Sequence, residues 1–394
     1  MRYIKLILLL YSFGYFACQS SNNSSIKVVP KNFNPDGLSS GVVLTSVLVH
    51  SNRSHSYSIY LPSKKIENNR YNILIFFDPH AEAVRTITKY KNLAEKYSCI
   101  LIASNDSKNG VDVNTSKQIV EELVNESIEY YQADEKKILL CGFSGGAKVA
   151  INSAVEMSNI SRVVYCGAAS PFQNCNHQLS LLGFAGRMDM NYSEVVSAGL
   201  IKSSNNVNNY CVEWNGKHEW PDSATFEQAF YFIDNNYFKL NVIKIDESKV
   251  KLMEEEQIIH QKYISDLQTK DEVYWQSEII KLNSNIDENG LNQRLLGFIS
   301  LMCYSIANQI IHQGDVKTAK RILNIYKMAD PKNPDCDYFF ALMYAKMNQP
   351  DRVFISLNNA IANGFKDVAK VKSEPILSNF FQDKQMNEVI TKIK

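Results

Sequence analysis

Short apolar segments alternate with helical segments between Gly41 and Phe238, and this alternation limits the possible folds more than any other feature of the chain. Every residue of Ile73–Phe77 is apolar, which is typical of a strand buried on both faces of a sheet. The same pattern predicts strands at residues 57–61, 99–103, 137–141, 163–166, 181–185 and 207–214, with helices at 90–97, 115–131, 148–157 and 224–235. Strands alternating with helices predict an α/β domain over residues 41–240, with a mostly parallel sheet and helices on both faces.

The pattern changes after Tyr237, and no strand is predicted beyond residue 246. Amphipathic helices are predicted at 247–267 and 272–282, followed by two helix pairs, 299–311 with 318–328 and 337–347 with 352–362. Asp315 and Asp351 hold matching places in the two pairs, 36 positions apart. This spacing resembles tetratricopeptide repeats, whose unit has about 34 residues. We therefore predict an all-α domain over residues 241–394, either tetratricopeptide-like or a plain helical bundle.

The first 17 residues have the layout of an export signal, with Arg2 and Lys5 at the start of an apolar segment that ends at Phe16. This segment is too short to cross a bilayer, which needs about 20 apolar residues. Ala17 before Cys18 resembles the lipobox of bacterial lipoproteins, in which the cysteine carries the lipid. The resemblance implies a signal peptide at 1–17, lipid attachment at Cys18, a flexible tether at 18–40, and anchoring at the bacterial outer membrane or cell surface. An anchor helix or a buried strand is the alternative.

Charge and cysteine usage exclude several functional classes. The chain has 42 basic and 41 acidic residues, so it offers no electrostatic case for binding nucleic acid. The seven cysteines after Cys18 lack the spacing of a zinc site, and no metal or cofactor is predicted. Cys166 and Cys175 form the one local pair that could make a disulfide.

The pentapeptide at residues 142–146, Gly-Phe-Ser-Gly-Gly, has the clearest chemical signal. It follows a predicted strand and precedes a predicted helix, which is the context of a G-x-S-x-G nucleophile elbow. Small residues permit a turn tight enough to lift the hydroxyl of Ser144 above the sheet edge, at a helix N-terminus. We predict that Ser144 is a nucleophile; the alternative is a glycine-rich turn without chemistry.

A serine hydroxyl becomes a good nucleophile only when a base accepts its proton. His218 directly follows the last predicted strand, so its loop shares a sheet edge with Ser144, and we predict that His218 is the base. His177, in the loop after residues 163–166, is the weaker alternative. A histidine with no role beyond a surface turn is the other alternative.

The base needs a carboxylate that fixes its tautomer. Asp189 follows the predicted strand at 181–185, and we predict that it is this acid; a turn or capping role is the alternative. Glu219 and Asp222 are too close to His218 in sequence to be favoured.

A tetrahedral intermediate also needs two N–H donors, which form an oxyanion hole. Gly145, directly after the nucleophile, is the first predicted donor. The second is Ala81, in the loop after Ile73–Phe77, with Glu82 as the alternative because alanine tolerates fewer backbone angles than glycine. We expect His80 to orient this loop rather than to transfer a proton.

These segments resemble the α/β-hydrolase superfamily, and most of all compact secreted esterases of the feruloyl esterase and polyhydroxybutyrate-depolymerase type. The resemblance covers about half of the chain, and four segments carry it: 77–80 (Phe-Asp-Pro-His), 142–146, 189–192 (Asp-Met-Asn-Tyr) and 216–221 (Gly-Lys-His-Glu-Trp-Pro). Ser144, Asp189 and His218 also follow one another in the chain order of that superfamily. The resemblance implies hydrolysis of a carboxylic ester through an acyl-enzyme, without a cofactor.

We expect the substrate to be a small-molecule or polymer-linked ester outside the cytoplasm. A serine peptidase on the same fold is the closest alternative, because leaving-group preference depends on the shape of the loops. A catalytically idle hydrolase fold that supports a partner-binding helical domain is a third hypothesis, in which the helices bind a protein or peptide. The complete set of Ser, Asp and His argues against it, since a scaffold does not need these residues.

Overall fold

The computed structural model describes residues 38–63, 71–131, 133, 135–172, 174–200, 206–244, 246–284 and 289–393. The predicted signal peptide, the lipid-attachment residue Cys18 and nearly all of the predicted tether lie outside the described residues. The described chain forms two compact units. The first, here called the sheet unit, contains the residues up to Gly186 and Asn191–Lys244. The second, the helical unit, combines Arg187–Met190 with the described residues after Lys244.

The sheet unit is built on one eight-stranded sheet in the order β1-β2-β4-β3-β5-β6-β7-β8. The strands from β3 to β8 pair in parallel, whereas β2 pairs antiparallel with both β1 and β4. The bounds are β1 Val43–Leu48, β2 Ser56–Tyr60, β3 Ile73–Phe77, β4 Ile100–Ser104, β5 Ile138–Phe143, β6 Arg162–Cys166, β7 Leu179–Gly186 and β8 Val207–Trp214. This mostly parallel sheet confirms the predicted α/β-hydrolase fold class.

Four helices connect these strands and a fifth follows β8: α1 Ala83–Tyr97, α2 Val113–Tyr131, α3 Gly145–Glu156, α4 Tyr192–Leu200 and α5 Ser223–Ile233. Strands β3, β4 and β5 are buried at every residue, as their apolar sequences require. Helix α1 buries Ile87, Tyr90 and Ala94 at helical spacing, and these side chains share a core with Phe226 and Phe230 of α5.

One β-strand and one α-helix of the sheet unit lie outside the predicted strands and helices. Strand β1 contains a register irregularity between Leu44 and Val47, and Ser46 has a positive φ of 56°. Such a bulge interrupts the alternation from which a strand is predicted. Helix α4 has only nine residues and also escaped prediction.

Helix α1 begins at Ala83, seven residues before its predicted start. The prediction missed its first two turns because they bury few large apolar side chains.

The helical unit contains α6 Glu247–Thr269, α7 Glu272–Ser284, α8 Leu291–Gln313, α9 Val316–Ala329, α10 Pro334–Lys346, α11 Pro350–Ala362, α12 Val368–Ser373 and α13 Lys384–Lys392. This confirms a helical C-terminal domain. Helix α8 packs against α9, and α10 packs against α9 and α11, so the predicted helix pairs are formed. Helices α9 and α11 begin 34 positions apart. Their assignment to the tetratricopeptide class stays a prediction.

Helix α8 is the one helix among the described residues that is long and apolar enough to cross a membrane. Its Ile299, Cys303 and Ala307 are fully buried in the core of the helical unit. Beyond α8, Gly314 takes a left-handed conformation and Asp315 caps α9 by accepting a hydrogen bond from the N–H of Thr318. The predicted break between the two helices therefore has a local cause.

The cysteines of the described chain are buried thiols. Cys166 and Cys175, considered above as a pair, do not form a disulfide.

Candidate active site

Ser144 occupies the sharp turn between β5 and α3, half-buried at the N-terminus of the helix. Its backbone angles, φ 51° and ψ −119°, are outside the regions that a serine normally adopts. Such strain persists only where the surroundings impose it, and the N–H of Ser144 donates to the carbonyl of Cys166 at 2.8 Å. This is the strand, turn and helix context that the pentapeptide predicts.

The glycines of the pentapeptide are required by close approach of other atoms. A Cβ on Gly146 would lie 1.9 Å from the carbonyl oxygen of Phe77, and one on Gly142 would lie 2.2 Å from the carbonyl oxygen of Gly146. A Cβ on Gly145 would lie 1.9 Å from Oδ1 of Asn109. No side chain fits at these positions unless the backbone or Asn109 moves.

The structure brings His218 to Ser144. Nε2 of His218 lies 3.0 Å from Oγ of Ser144, within hydrogen-bond reach of a general base. The imidazole packs against the ring of Phe143, with 4.8 Å between ring centroids. Since His218 follows β8 and Ser144 follows β5, the pair sits at the carboxyl edge of the parallel strands, as predicted.

His177 lies at the opposite edge of the sheet. Its Nε2 is 3.2 Å from the carbonyl oxygen of Ile160, just before β6 begins, while Ser144 follows the end of β5. Because β5 and β6 are parallel, these two places are at opposite ends of the strands. His177 is therefore excluded as the base for Ser144.

Neighbouring elements hold the loop that carries His218. The indole N–H of Trp220 donates to Oδ2 of Asp78 at 2.8 Å, and Lys89 of α1 donates to the carbonyl of Trp220 at 2.7 Å. The hydroxyl of Tyr90, also on α1, donates to the carbonyl of Pro221 at 2.7 Å. Burial raises the pKa of Tyr90 well above its ordinary value, so this donor remains protonated.

Asp78 also organises the loop in which the second oxyanion donor is predicted. Its Oδ1 accepts from the N–H of His80 at 2.8 Å and of Glu82 at 3.3 Å. The N–H of Ala81 donates to the carbonyl of Asp78 at 3.1 Å, and Ala81 has a left-handed φ of 57°. The predicted donors Ala81 and Glu82 are thus engaged within the loop, and the oxyanion roles of Gly145 and Ala81 stay predictions.

Sequence reasoning assigned no role to Asp78, Trp220 or Asn109. Asp78 and Trp220 lie inside the segments 77–80 and 216–221, which carry the family resemblance. The sequence therefore pointed to these two positions, but it did not predict the hydrogen bond between them. Asn109 had no signal, because it lies in a polar loop. Its backbone N–H donates to the carbonyl of Pro79 at 2.9 Å, which places its side chain beside Gly145.

Asp189 is buried, with 2% of its surface exposed, three residues after the end of β7. It belongs to the segment Arg187–Met190 of the helical unit, and its role as the acid stays a prediction. Asp222 has a different function: its side chain caps α5 by accepting from the N–H of Thr225 at 2.8 Å. Within the described ranges, no group of three or more His, Cys, Asp or Glu side chains could hold a metal ion.

In comparisons with known proteins, residues 57–228 match the family model described as Phospholipase/Carboxylesterase. No curated protein gave a significant match. Similar solved structures include a hyperthermophilic esterase of the archaeon Pyrobaculum calidifontis, with 11% identity, a TM-score of 0.40, and coverage of 51% of this chain and 88% of the other. The fluorophosphonate-binding serine hydrolase F of Staphylococcus aureus has 12% identity, a TM-score of 0.40, and coverage of 50% and 99%. A Bacillus cereus carboxylesterase has 17% identity, a TM-score of 0.38, and coverage of 47% and 96%.

Structural likenesses of this size do not define a substrate. The family match rests instead on sequence, and it spans the strand, turn and helix that carry Ser144 together with the loop that carries His218. Together with the fold and the contact between these two side chains, it identifies this chain as an esterase-like serine hydrolase.

Proposed function

We propose that this protein hydrolyses carboxylic esters through an acyl-enzyme on Ser144, and that its substrate is an ester outside the cytoplasm. The observation that carries the proposal is the 3.0 Å separation between Nε2 of His218 and Oγ of Ser144 at a strained elbow. A strained turn that presents an activated hydroxyl at a helix N-terminus has a clear use in acyl transfer.

The reaction has two stages. Oγ of Ser144 attacks the ester carbon while Nε2 of His218 accepts its proton, and the carbonyl oxygen becomes negative. His218 then returns the proton to the departing alcohol, which leaves an acyl group on Ser144. Water, deprotonated by His218, attacks this acyl group, and His218 returns that proton to Oγ of Ser144 as the bond to the acyl carbon breaks and the acid is released. Asp189, in its predicted role, would hold the tautomer of His218 and stabilise the imidazolium.

The negative oxygen needs donors at the elbow. The N–H of Gly145, at the N-terminus of α3, is the first, and the helix dipole favours negative charge there. The N–H of Ala81 can act as the second after it exchanges the carbonyl of Asp78 for the substrate oxygen. The side-chain amide of Asn109, which lies beside Gly145, offers a donor that needs no such exchange.

The family match to phospholipases and carboxylesterases supports an ester rather than a peptide as the substrate. The extracytoplasmic location rests on the export signal expected at residues 1–17 and the lipid expected at Cys18. Cell fractionation tests it: the native chain should sediment with membranes, and the Cys18→Ser variant should not. A native chain that stays in the cytoplasmic fraction would remove this part of the proposal.

The helical domain is also proposed to bind a protein or peptide. The aromatic and aliphatic side chains of Phe340, Tyr344 and Ile355 line a groove formed by α10 and α11, beside the guanidinium of Arg352. A groove of mixed apolar and charged character supports this proposal without defining the partner.

The decisive experiment compares 4-nitrophenyl acetate and butyrate with the matching 4-nitroanilides. We expect hydrolysis of the esters, and a loss of about 10³-fold or more in kcat for Ser144→Ala and for His218→Ala. His177→Ala is the matched control and should retain activity. Comparable kcat/KM values for the anilides would favour the peptidase alternative. Folded wild-type protein without activity on either series would contradict the proposed function.

A further inference from the structure

The segment Arg187–Met190, here called the acid loop because it contains Asp189, is bound by side chains of the helical unit. Nη1 of Arg294, on α8, donates to the carbonyl oxygen of Arg187 at 2.7 Å and to that of Asn289 at 2.7 Å. The backbone also approaches closely: a Cβ on Gly290 would lie 2.3 Å from the carbonyl oxygen of Arg187. The acid loop is thus part of this unit although it directly follows β7 in the chain.

The guanidinium of Arg294 is itself fixed by a second buried group. Its Nε and Nη2 donate to the two carboxylate oxygens of Glu256, on α6, at 2.8 and 2.9 Å. Glu256 is fully buried and Arg294 is 5% exposed. Two parallel charge-assisted hydrogen bonds fix the plane of the guanidinium, which leaves Nη1 aimed at the acid loop.

His260 is a further titratable group beside this carboxylate, with Nε2 3.8 Å from Oε1 of Glu256. Burial lowers the pKa of His260, and its ring stacks on Phe298. Burial thus disfavours a charge on His260, whereas the guanidinium of Arg294 pairs with Glu256.

Stability alone is a weak reason to keep such a pair. The free energy of removing two charges from water offsets a large part of their attraction. Replacing a buried pair with apolar side chains is therefore often neutral or stabilising. A pair that spans α6 and α8 and also binds the backbone of a loop has a use that an apolar pair lacks, because it fixes the position of a peptide group.

We propose that Arg294 is a positioning residue for Asp189. The inference rests on the proposed function, in which Asp189 orients His218. The carbonyl that Arg294 binds is two residues before Asp189, so losing this bond lets the backbone around the acid shift. A shift of about 1 Å at a group that must orient a base costs about 100-fold in rate.

The test uses the full chain with both charges removed together, as Glu256→Met with Arg294→Met, so that no charge is left buried alone. We expect the melting temperature to stay close to that of the wild type. We expect kcat for 4-nitrophenyl butyrate to fall about 10- to 100-fold, with KM nearly unchanged. Should this variant fail to fold, Arg294→Lys is the substitute. Lysine keeps a cation beside Glu256 but lacks the planar set of N–H donors that binds the carboxylate and the carbonyl of Arg187 together, so kcat should fall about tenfold.

Arg321→Met is the matched control. Its guanidinium also binds two backbone carbonyls of the helical unit, those of Leu267 at 2.7 Å and Lys270 at 2.8 Å, but it does not bind the acid loop. We expect this variant to retain kcat whatever it loses in thermal stability. A fall in kcat equal to that of the Arg294 variant would reduce the role of Arg294 to general stability.

A double-mutant cycle with Asp189→Asn separates the two proposals. If Arg294 acts through Asp189, its replacement should change the residual rate of the Asp189→Asn enzyme by less than about twofold. An undiminished loss in that background, or an Arg294 variant with full kcat, would overturn the inference while leaving the hydrolase intact. Failure of the proposed function has a different signature, namely activity that survives Ser144→Ala.

Discussion

The nucleophile loop at residues 142–146 and the acid loop Arg187–Met190 both follow parallel strands, yet different parts of the chain hold them. The nucleophile loop is held within the sheet unit: the N–H of Ser144 donates to the carbonyl of Cys166, and Gly146 packs closely against the carbonyl of Phe77. The acid loop is bound by Arg294, which lies 107 positions after Arg187. The comparison teaches that two loops at the ends of parallel strands can be held by different means, one by neighbours within its own sheet and the other by a side chain far away in the sequence.

Among substitutions in the two loops, Gly146→Ala in the nucleophile loop is expected to have the largest effect. The new Cβ would meet the backbone carbonyl of Phe77 at 1.9 Å, and no flexible side chain is there to yield. We expect a loss of about 3 kcal/mol in the free energy of unfolding and of at least about 100-fold in kcat. Chemical denaturation and ester hydrolysis measure the two effects. An enzyme with native activity would show that the elbow tolerates a wider turn.

On the acid side, Gly290→Ala should cause the next largest effect. Gly290 has a left-handed φ of 74°, and a Cβ there would meet the carbonyl of Arg187 at 2.3 Å. We expect kcat to fall about tenfold, in addition to a loss of about 1 kcal/mol in stability from backbone strain.

Gly314→Ala is the control for the Gly290 variant. Its φ is 86°, but apart from its immediate chain neighbours no described residue has an atom within 4 Å of the position of a new Cβ. It should show the same strain without the loss of kcat. Equal kcat values for the two variants would contradict a link between Gly290 and the acid loop.

Asn109→Ala sharpens the account of the nucleophile loop with a smaller effect. If the side-chain amide of Asn109 helps to bind the negative oxygen, kcat should fall about tenfold while KM stays unchanged. Stopped-flow measurement of the acylation burst gives the relevant rate. Lys108→Ala, at the exposed neighbouring residue, is the control and should leave the burst unaltered.

The smallest effect is expected from Gly297→Ala, within α8. A Cβ there would lie 3.4 Å from Cβ of Met190, an ordinary van der Waals contact with the acid loop. We expect activity within about twofold of the wild type. The free energy of unfolding should rise by about 0.5–1 kcal/mol, because alanine favours a helix interior more than glycine does. A large loss of kcat would show that the acid loop tolerates even less than its contacts indicate.

Much of this architecture follows from sequence because its causes are local. The apolar run Ile73–Phe77 and the pentapeptide at 142–146 specify their own conformations, and parallel strands bring the loops after β5 and β8 to one edge. Chain order and edge position were therefore sufficient to select His218 over His177. Strand β1 escaped prediction because a bulge at Ser46 breaks its alternation.

The contacts that escaped prediction join residues far apart in the chain. Asp78 accepts from Trp220 across 142 positions, and Glu256 pairs with Arg294 from another helix. No spacing rule connects such residues, since only the folded backbone brings them within hydrogen-bond distance. Asn109 had no motif at all, and only the close approach to Gly145 reveals it.

The most direct test of the central claim, an activated Ser144 paired with His218, is the rate of labelling by a fluorophosphonate probe, with the site of the adduct mapped by mass spectrometry. The account predicts one adduct, on Ser144, which is absent in Ser144→Ala, formed at least about 10³-fold more slowly in His218→Ala, and unaffected by His177→Ala. Folded wild-type protein that does not react, or that reacts equally fast without His218, would contradict it.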